Sequence, residues 1–257
     1  MTTTLTQKAT TAIAGLLFIG WATFAGAAER IWEDREVEGF HALSASTSGD
    51  FRLEKGEVES LSIQARPETL ERLKTEVIAG ELRISLEDGL WWRNTGAIDV
   101  LITYRQLDSL RLSGSAEVKT DALAGSTFEV NITGSADVEV PDMAVDVLQV
   151  SVSGSGDLTV EQLRAEEVQI EVRGSGDITL AGVTDQQTVK VYGSGTVDNE
   201  ALQSVATNAV VSGSGDTIVW ASGRLVARIS GSGDIRYRGD PELDSKVTGS
   251  GEIRCQY

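Results

Sequence analysis

The chain has 257 residues, of which 40% are hydrophobic and only 5% are aromatic, and Cys255 is its single cysteine. One thiol excludes an intramolecular disulfide, and we expect it to be buried. A formal net charge of −17 at neutral pH repels polyanions, so nucleic acid is excluded as a partner and an anionic membrane surface is disfavoured.

Residues 1–27 are typical of a secretory signal peptide. Lys8 precedes an apolar stretch over residues 12–22, and Ala25-Gly26-Ala27 matches the small-residue pattern that signal peptidase cleaves. A retained membrane anchor is the alternative, but the stretch is short for a bilayer-spanning helix. We predict cleavage after Ala27. The remaining chain, residues 28–257, is then an exported single domain without a transmembrane segment.

Residues 28–104 show apolar alternation without a fixed period. Residues 61–63 and 80–85 are predicted strands, and residues 67–77 carry leucines and a valine at helical spacing, which predicts a short helix. We interpret the segment as an N-terminal cap with irregular first coils. It contains His41, the only histidine, which has neither a second histidine nor a cysteine nearby in sequence for a zinc site.

A short loop before the regular part of the chain holds the sequence Trp91-Trp92-Arg93. Two indoles beside a guanidinium can stack on a sugar ring or anchor a protein partner. Alternatively, the same side chains cover the flank or the N-terminal end of the fold. Trp91, Trp92 and Arg93 are therefore candidate contacts for a ligand or partner.

Residues 105–257 repeat one pattern eight times at steps of 18 to 20 residues. Its first glycines are Gly114, Gly134, Gly154, Gly174, Gly193, Gly213, Gly231 and Gly249. A fixed period near 20 predicts a solenoid, and apolar residues at every second position predict half-buried strands. Strands of one coil must pair with those of the next, so we predict an all-β, right-handed parallel β-helix.

Two corners are expected in each coil. The Gly-Ser-Gly-Asp corner has glycines that permit positive φ angles, and its aspartate can accept hydrogen bonds from amides of the same turn. The second corner varies in sequence, as at residues 164–167 and 183–186.

Acidic side chains recur at the end of the glycine corner and should stack along the helix. Stacked carboxylates can bind calcium, and the weak candidates are Asp157, Asp177, Asp216 and Asp234. However, the nine-residue glycine-rich repeat of calcium-binding β-rolls is not found, and Thr196 interrupts the series. We favour a role in the turns and expect no cofactor.

The chain resembles the head GIN domain family of auto-transporter adhesins over residues 35–255. The resemblance rests on Gly39-Phe40-His41-Ala42-Leu43, on residues 80–84 and 102–115, and on the terminal Gly249-Ser250-Gly251-Glu252-Ile253. It implies a bacterial β-helix exported to the periplasm or the cell surface. It brings no established catalytic residues.

Two functions remain open from the sequence. We favour a non-catalytic adhesion, scaffold or envelope-associated role, with a polysaccharide or a surface protein as partner. The exposed final coil, residues 253–257, leaves a homo-oligomer open. The alternative is a carbohydrate-active enzyme, either a polysaccharide lyase or a glycoside hydrolase. A glycosidase needs one particular pair of carboxylates, and a repeating series singles out none, so we predict no enzyme activity.

Overall fold

The structure is a computed structural model that describes residues 29–87 and 96–256. The predicted signal peptide and Trp91, Trp92 and Arg93 lie outside these ranges. Strands make up 67% and helix 2% of the structure. Within these ranges the strands are β1 (Ile31–Arg35), β2 (Ala42–Ser46), β3 (Gly49–Lys55), β4 (Ser60–Ala65), β5 (Leu73–Ile78), β6 (Glu81–Leu86), β7 (Asp99–Tyr104), β8 (Ser109–Leu112), β9 (Ala116–Thr120), β10 (Leu123–Ile132), β11 (Asp137–Val140), β12 (Met143–Val152), β13 (Leu158–Val172), β14 (Ile178–Val191), β15 (Val197–Val211), β16 (Thr217–Gly231), β17 (Ile235–Arg238), β18 (Glu242–Gly249) and β19 (Ile253–Cys255). The helix described within them is α1 (Pro67–Leu70). The described helix is too short to cross a bilayer.

The strands stack in parallel into a β-solenoid of about seven turns. Their register reproduces the sequence period: Val150 of β12 lies beside Ile170 of β13, which lies beside Val189 of β14. Equivalent residues of consecutive repeats are therefore direct neighbours in the sheet. The predicted all-β fold of stacked parallel coils is confirmed.

Each regular coil contributes to three ladders of paired strands. Where β13 meets β14, residues 158–160 pair just after the glycine turn, residues 163–165 pair next, and residues 167–172 pair just before the following turn. We call these the post-turn, middle and pre-turn ladders. The second corner predicted at residues 164–167 is not a break, because it lies inside the continuous strand β13. A register shift between Val160 and Leu163 bends the strand without interrupting it.

The interior is filled by every second side chain of each strand. Leu158, Val160, Val168, Ile170 and Val172 are all at most 2% exposed and belong to one continuous core cluster. Burying each such side chain contributes about 2 kcal/mol. Because a single coil encloses too little apolar surface, stability comes from stacking the coils.

Close stacking explains the glycines of the turns. The expected positive φ is found, among the glycines of these turns, only at Gly231 and Gly249. At Gly174 the reason is different, since a Cβ there would overlap the carbonyl oxygen of Gly154 in the preceding coil. The requirement for glycine is therefore mainly steric, and the explanation from positive φ is wrong for most of these turns.

The N-terminal end of the solenoid contains antiparallel strand pairs and α1. Strand β1 pairs with β4, β4 with β7, and β5 with β6, all antiparallel. The predicted helix over residues 67–77 is wrong beyond Leu70, because residues 73–78 form β5 instead. Arg35 fixes this region by donating hydrogen bonds to the carbonyl oxygens of Leu70 (2.7 Å) and Leu73 (2.5 Å).

Candidate functional site

A groove lies on the outer face of the post-turn ladder near its N-terminal end, where β1, β4, β7, β3 and β9 are side by side. Alternation along each strand sends half of the side chains outward. The register places five outward residues in one row across the strands: Trp32, Gln64, Asp99, Asp50 and Glu117. The neighbouring row consists of Asp34, Ser62, Leu101, Arg52 and Lys119.

The groove has a volume of about 410 Å³ and combines an aromatic ring with charges of both signs. Its outward-facing lining residues are Trp32, Asp50, Arg52, Glu54, Asp99, Leu101, Glu117 and Lys119. The volume is in the range of small-ligand sites. Trp32 is 55% exposed, which is unusual for so large an apolar side chain in a polar surrounding.

Polar contacts hold the groove side chains in place. With its amide oriented so that the nitrogen donates to Asp99 Oδ2 (3.0 Å), Gln64 accepts a hydrogen bond from Trp32 Nε1 (3.3 Å). Asp99 is also 2.6 Å from Arg30 Nη1. The indole ring is thus fixed at its polar edge while much of its surface stays in solvent.

The other end of the groove carries Lys119 between two carboxylates. Its Nζ lies 2.7 Å from Glu117 and 3.6 Å from Glu139. The hydrogen bond to Glu117 and the charges of both carboxylates raise the pKa of Lys119, so it remains a cation at neutral pH. An exposed ring, carboxylate acceptors and cationic donors within one groove suit a polar ligand with an apolar ring face.

Comparison with known proteins bears on this fold and its function. A family model described as "Putative auto-transporter adhesin, head GIN domain" matches residues 39–162 and 142–241. The chain belongs to this family. The predicted resemblance is confirmed. Comparison with curated proteins found no significant match.

Solved structures share the head GIN domain fold over nearly the whole chain. A putative lipid binding protein from Parabacteroides distasonis has a TM-score of 0.84 at 25% identity, covering 90% of this chain and 98% of its own. A putative adhesin from the same organism has a TM-score of 0.82 at 21% identity, with the same coverage. A putative adhesin from Parabacteroides merdae has a TM-score of 0.83 at 20% identity, again covering 90% and 98%. The last two likenesses bear on fold alone.

The acidic series of this head GIN domain links consecutive coils through the backbone. Asp157 Oδ1 accepts a hydrogen bond from the amide of Asp177 (2.8 Å), and Asp177 Oδ1 accepts one from the amide of Thr196 (2.8 Å). The same bond joins Asp216 to the amide of Asp234 (3.0 Å), and Asp234 to the amide of Glu252 (2.9 Å). These bonds join successive coils, in place of the predicted bonds within one turn.

The calcium candidates are thus already engaged by protein groups. Besides their amide partners, Asp216 and Asp234 lie 3.4 and 3.2 Å from Arg236 and Arg254. Within residues 29–87 and 96–256, no cluster of three or more His, Cys, Asp or Glu side chains has the arrangement of a metal site. Calcium binding by the series, the alternative to a role in the turns, is not tested by the structure.

The remaining sequence candidates are scattered. His41 Nδ1 lies 3.3 Å from Asp108 Oδ2 on the surface of the N-terminal region. Cys255 is a free thiol that is partly exposed, so the expectation that it is buried is wrong. The proposed contacts Trp91, Trp92 and Arg93 fall outside the described residues and stay a prediction.

Sequence reasoning missed Trp32, the most exposed aromatic side chain of the groove. The available signal was the pair Ile31 and Trp32, because two adjacent apolar residues in one strand cannot both face a core on one side. The structure leaves them 47% and 55% exposed. What the sequence does not contain is the pairing of β1 with β4, which brings Trp32 beside Gln64 and Asp99.

Proposed function

We propose that this protein is an exported, non-catalytic binding protein that holds a neutral polysaccharide in the groove beside Trp32. The observation that carries the proposal is the exposed indole of Trp32, anchored by Gln64 and flanked by the carboxylate of Asp99. Sugar rings present C–H faces that pack on an indole and hydroxyl groups that hydrogen-bond to carboxylates. The adhesin description of the family supports a binding role, and residues 1–27 support export.

Charge favours a neutral ligand over an acidic one. The chain carries a formal charge of −17, and the groove itself contains more carboxylates than cations. An acidic polysaccharide would therefore be repelled both at long range and inside the groove. Arg52 and Lys119 serve as hydrogen-bond donors to hydroxyl groups in this arrangement.

The alternative of a glycoside hydrolase or lyase has less support. A glycosidase needs a protonated carboxyl group as general acid opposite a second carboxylate. In the groove, Asp99 lies 2.6 Å from the guanidinium of Arg30, and Glu117 lies 2.7 Å from the ammonium group of Lys119, so both carboxylates are paired with cations. These ion pairs favour binding over catalysis as the role of the groove.

Binding is tested by retention of the protein, expressed from Ala28, in gels containing dextran, mannan or alginate. We expect retention by a neutral polysaccharide, and Trp32→Ala should weaken it at least about tenfold because the stacking surface is lost. Tyr192→Ala is the control, since Tyr192 is an aromatic residue of similar exposure (45%) away from the groove. Equal loss in both variants would count against the groove.

Three further arms separate the alternatives. New reducing ends in the polysaccharide would show an enzyme and overturn the non-catalytic assignment. If the double variant Trp91→Ala/Trp92→Ala loses binding and Trp32→Ala does not, the binding site lies in the sequence segment that contains Trp91 and Trp92. Binding to phosphatidylcholine vesicles without retention by any polysaccharide would point to a lipid ligand, as the description of one related structure suggests for that protein.

A further inference from the structure

The last coil of the solenoid ends in an open strand edge. Strand β18 pairs with β16 on one side, and no strand within residues 29–87 and 96–256 pairs with its other side. All eight of its residues are exposed. At the opposite end the ladders finish in the antiparallel strands β1 and β5, and Leu70 of α1 and Leu73 of β5 are buried there. An uncovered edge of this length is a template for pairing with another strand.

The inward positions of β18 are apolar and uncovered. Leu243 stacks on Leu225, and Val247 stacks on Ile229, so both continue columns of the solenoid core. Leu225 and Ile229 are at most 3% exposed, whereas Leu243 and Val247 are 40% and 43% exposed. One more layer of strand would bury them as the preceding layers are buried.

The hydrogen-bond pattern of the pre-turn ladder shows which groups of β18 face the open edge. In earlier coils, inward residues offer their carbonyls to the following coil, as Val152 does to the amide of Arg173 (2.8 Å). Backbone groups alternate in direction along a strand, so the inward residues of β18 carry the open donors and acceptors. These residues are Leu243, Ser245 and Val247.

We propose that this edge binds the same edge of a second copy of the chain, with β18 antiparallel to itself about a twofold axis through Ser245. In this register Leu243 lies opposite Val247 of the second copy. Asp244 lies opposite Lys246 of the second copy, and symmetry repeats both pairs. Each inward residue with open backbone groups then meets another, which is the hydrogen-bonded pairing of an antiparallel sheet.

The charges of β18 favour this register over the two nearest registers that also place inward residues opposite inward residues. A twofold axis at Asp244 places that carboxylate against itself, and an axis at Lys246 places two ammonium groups together. Like charges directly opposite destabilise a strand pair, whereas opposite charges stabilise it. The axis at Asp244 also pairs Glu242 with Lys246, but only the axis at Ser245 gives two attractive pairs with no like-charge pair, so the sequence of β18 is complementary to its own reverse.

Asp244 is already bound within its own chain and still has room for the second copy. Its Oδ2 lies 2.7 Å from Arg228 Nη2, while 57% of its side chain remains exposed. The hydrogen bond and the charge of Arg228 lower the pKa of Asp244, so it is ionised at neutral pH. Lys246 of the second copy would extend this ion pair across the interface.

The first test measures the molar mass of the protein, expressed from Ala28, by light scattering across a wide concentration range. We expect a dimer, and Lys246→Glu should raise its dissociation constant at least about tenfold because two attractive pairs become repulsive. The matched control is Lys190→Glu, which makes the same charge change in the same outward column three coils earlier. It should dimerise like the unchanged protein.

The second test fixes the register. Residues that face each other in a hydrogen-bonded antiparallel pair have Cα atoms about 5.5 Å apart, within disulfide range. Ser245→Cys in a Cys255→Ser background should therefore give a disulfide-linked dimer under mild oxidation. Leu243→Cys in the same background should not, because its two copies would be about 14 Å apart.

Each contrary outcome overturns the proposal. A monomer at all concentrations shows that the edges do not pair. Oligomers that grow beyond a dimer show head-to-tail stacking. A dimer that tolerates Lys246→Glu and fails to link through Ser245→Cys uses another surface. None of these results depends on sugar binding at Trp32, so the two proposals stand or fall separately.

Discussion

At the scale of single residues, contact between the backbones of successive coils accounts for the glycines of the turns. Gly174→Ala should destabilise the protein by about 1–3 kcal/mol, because the new Cβ would overlap the carbonyl oxygen of Gly154 and both atoms belong to closely stacked backbone. Urea denaturation of the variant and the unchanged protein measures the difference.

The matched control for this prediction is Gly125→Ala. At Gly125 the nearest atom to an added Cβ is Asp108 Oδ1, at 3.9 Å, which is an ordinary contact. Its free energy of unfolding should change by no more than about 0.5 kcal/mol. If Gly174→Ala and Gly125→Ala lower the free energy of unfolding equally, close contact between the coils does not explain the glycines of the turns.

The acidic series makes a second prediction for a single residue. Asp177→Ala removes the hydrogen-bond acceptor of the Thr196 amide and should lower the free energy of unfolding by about 1 kcal/mol. Asp177→Asn keeps an oxygen at this position and should lower it by less. Thermal unfolding with and without calcium separates this role from metal binding. A rise in Tm on adding calcium that both variants lose would instead show a calcium site.

At the scale of strands, an ion-pair network joins three elements near the N-terminal end. Glu81 of β6 lies 2.6 Å from Arg83 and 3.1 Å from Arg111 of β8, and Arg111 also lies 2.7 Å from Glu129 of β10. Burial alone would raise the pKa of Glu81. The hydrogen bonds and charges of Arg83 and Arg111 together outweigh burial and lower it.

Because the pKa of Glu81 is lowered in the folded state, acid should reduce the stability of the protein. Glu81 stabilises the folded state above its unfolded pKa of about 4.3, and this contribution disappears as pH falls through the lower folded pKa. Glu81→Gln should therefore lower Tm at pH 7 and make Tm less dependent on pH below about 4. Glu57→Gln, at an exposed loop position, is the control. Parallel pH profiles for Glu81→Gln and the unchanged protein would contradict the prediction.

Local sequence predicted the strands well where their pairing repeats and poorly where it does not. From residue 105 onward the period and the apolar alternation predict both the strands and their neighbours, because each coil stacks on a copy of itself. Residues 73–78 are a strand and not part of a helix because β6 pairs with them. No local pattern contains that pairing, and the groove at Trp32 depends on the same kind of non-repeating contact.

At the scale of the whole molecule, a solenoid is a one-dimensional array whose coils contact only their neighbours. The register between β11 and β13 and that between β13 and β14 place Val138, Leu158 and Ile178 in one column. Removal of residues 158–177 would therefore place Ile178 directly on Val138. The same deletion would bring the amide of Thr196 to Asp157 in place of Asp177, so the turn bond is preserved as well.

We therefore expect the protein lacking residues 158–177 to fold. Its urea m-value should decrease with the smaller buried surface, and its β-sheet circular dichroism should remain. Deletion of residues 158–167 is the contrasting control, because half a coil moves the pre-turn residues into the post-turn ladder and destroys the register. We expect that variant to be unfolded or aggregated. If both deletions unfold the protein, the coils are not interchangeable units and stability depends on contacts specific to each coil.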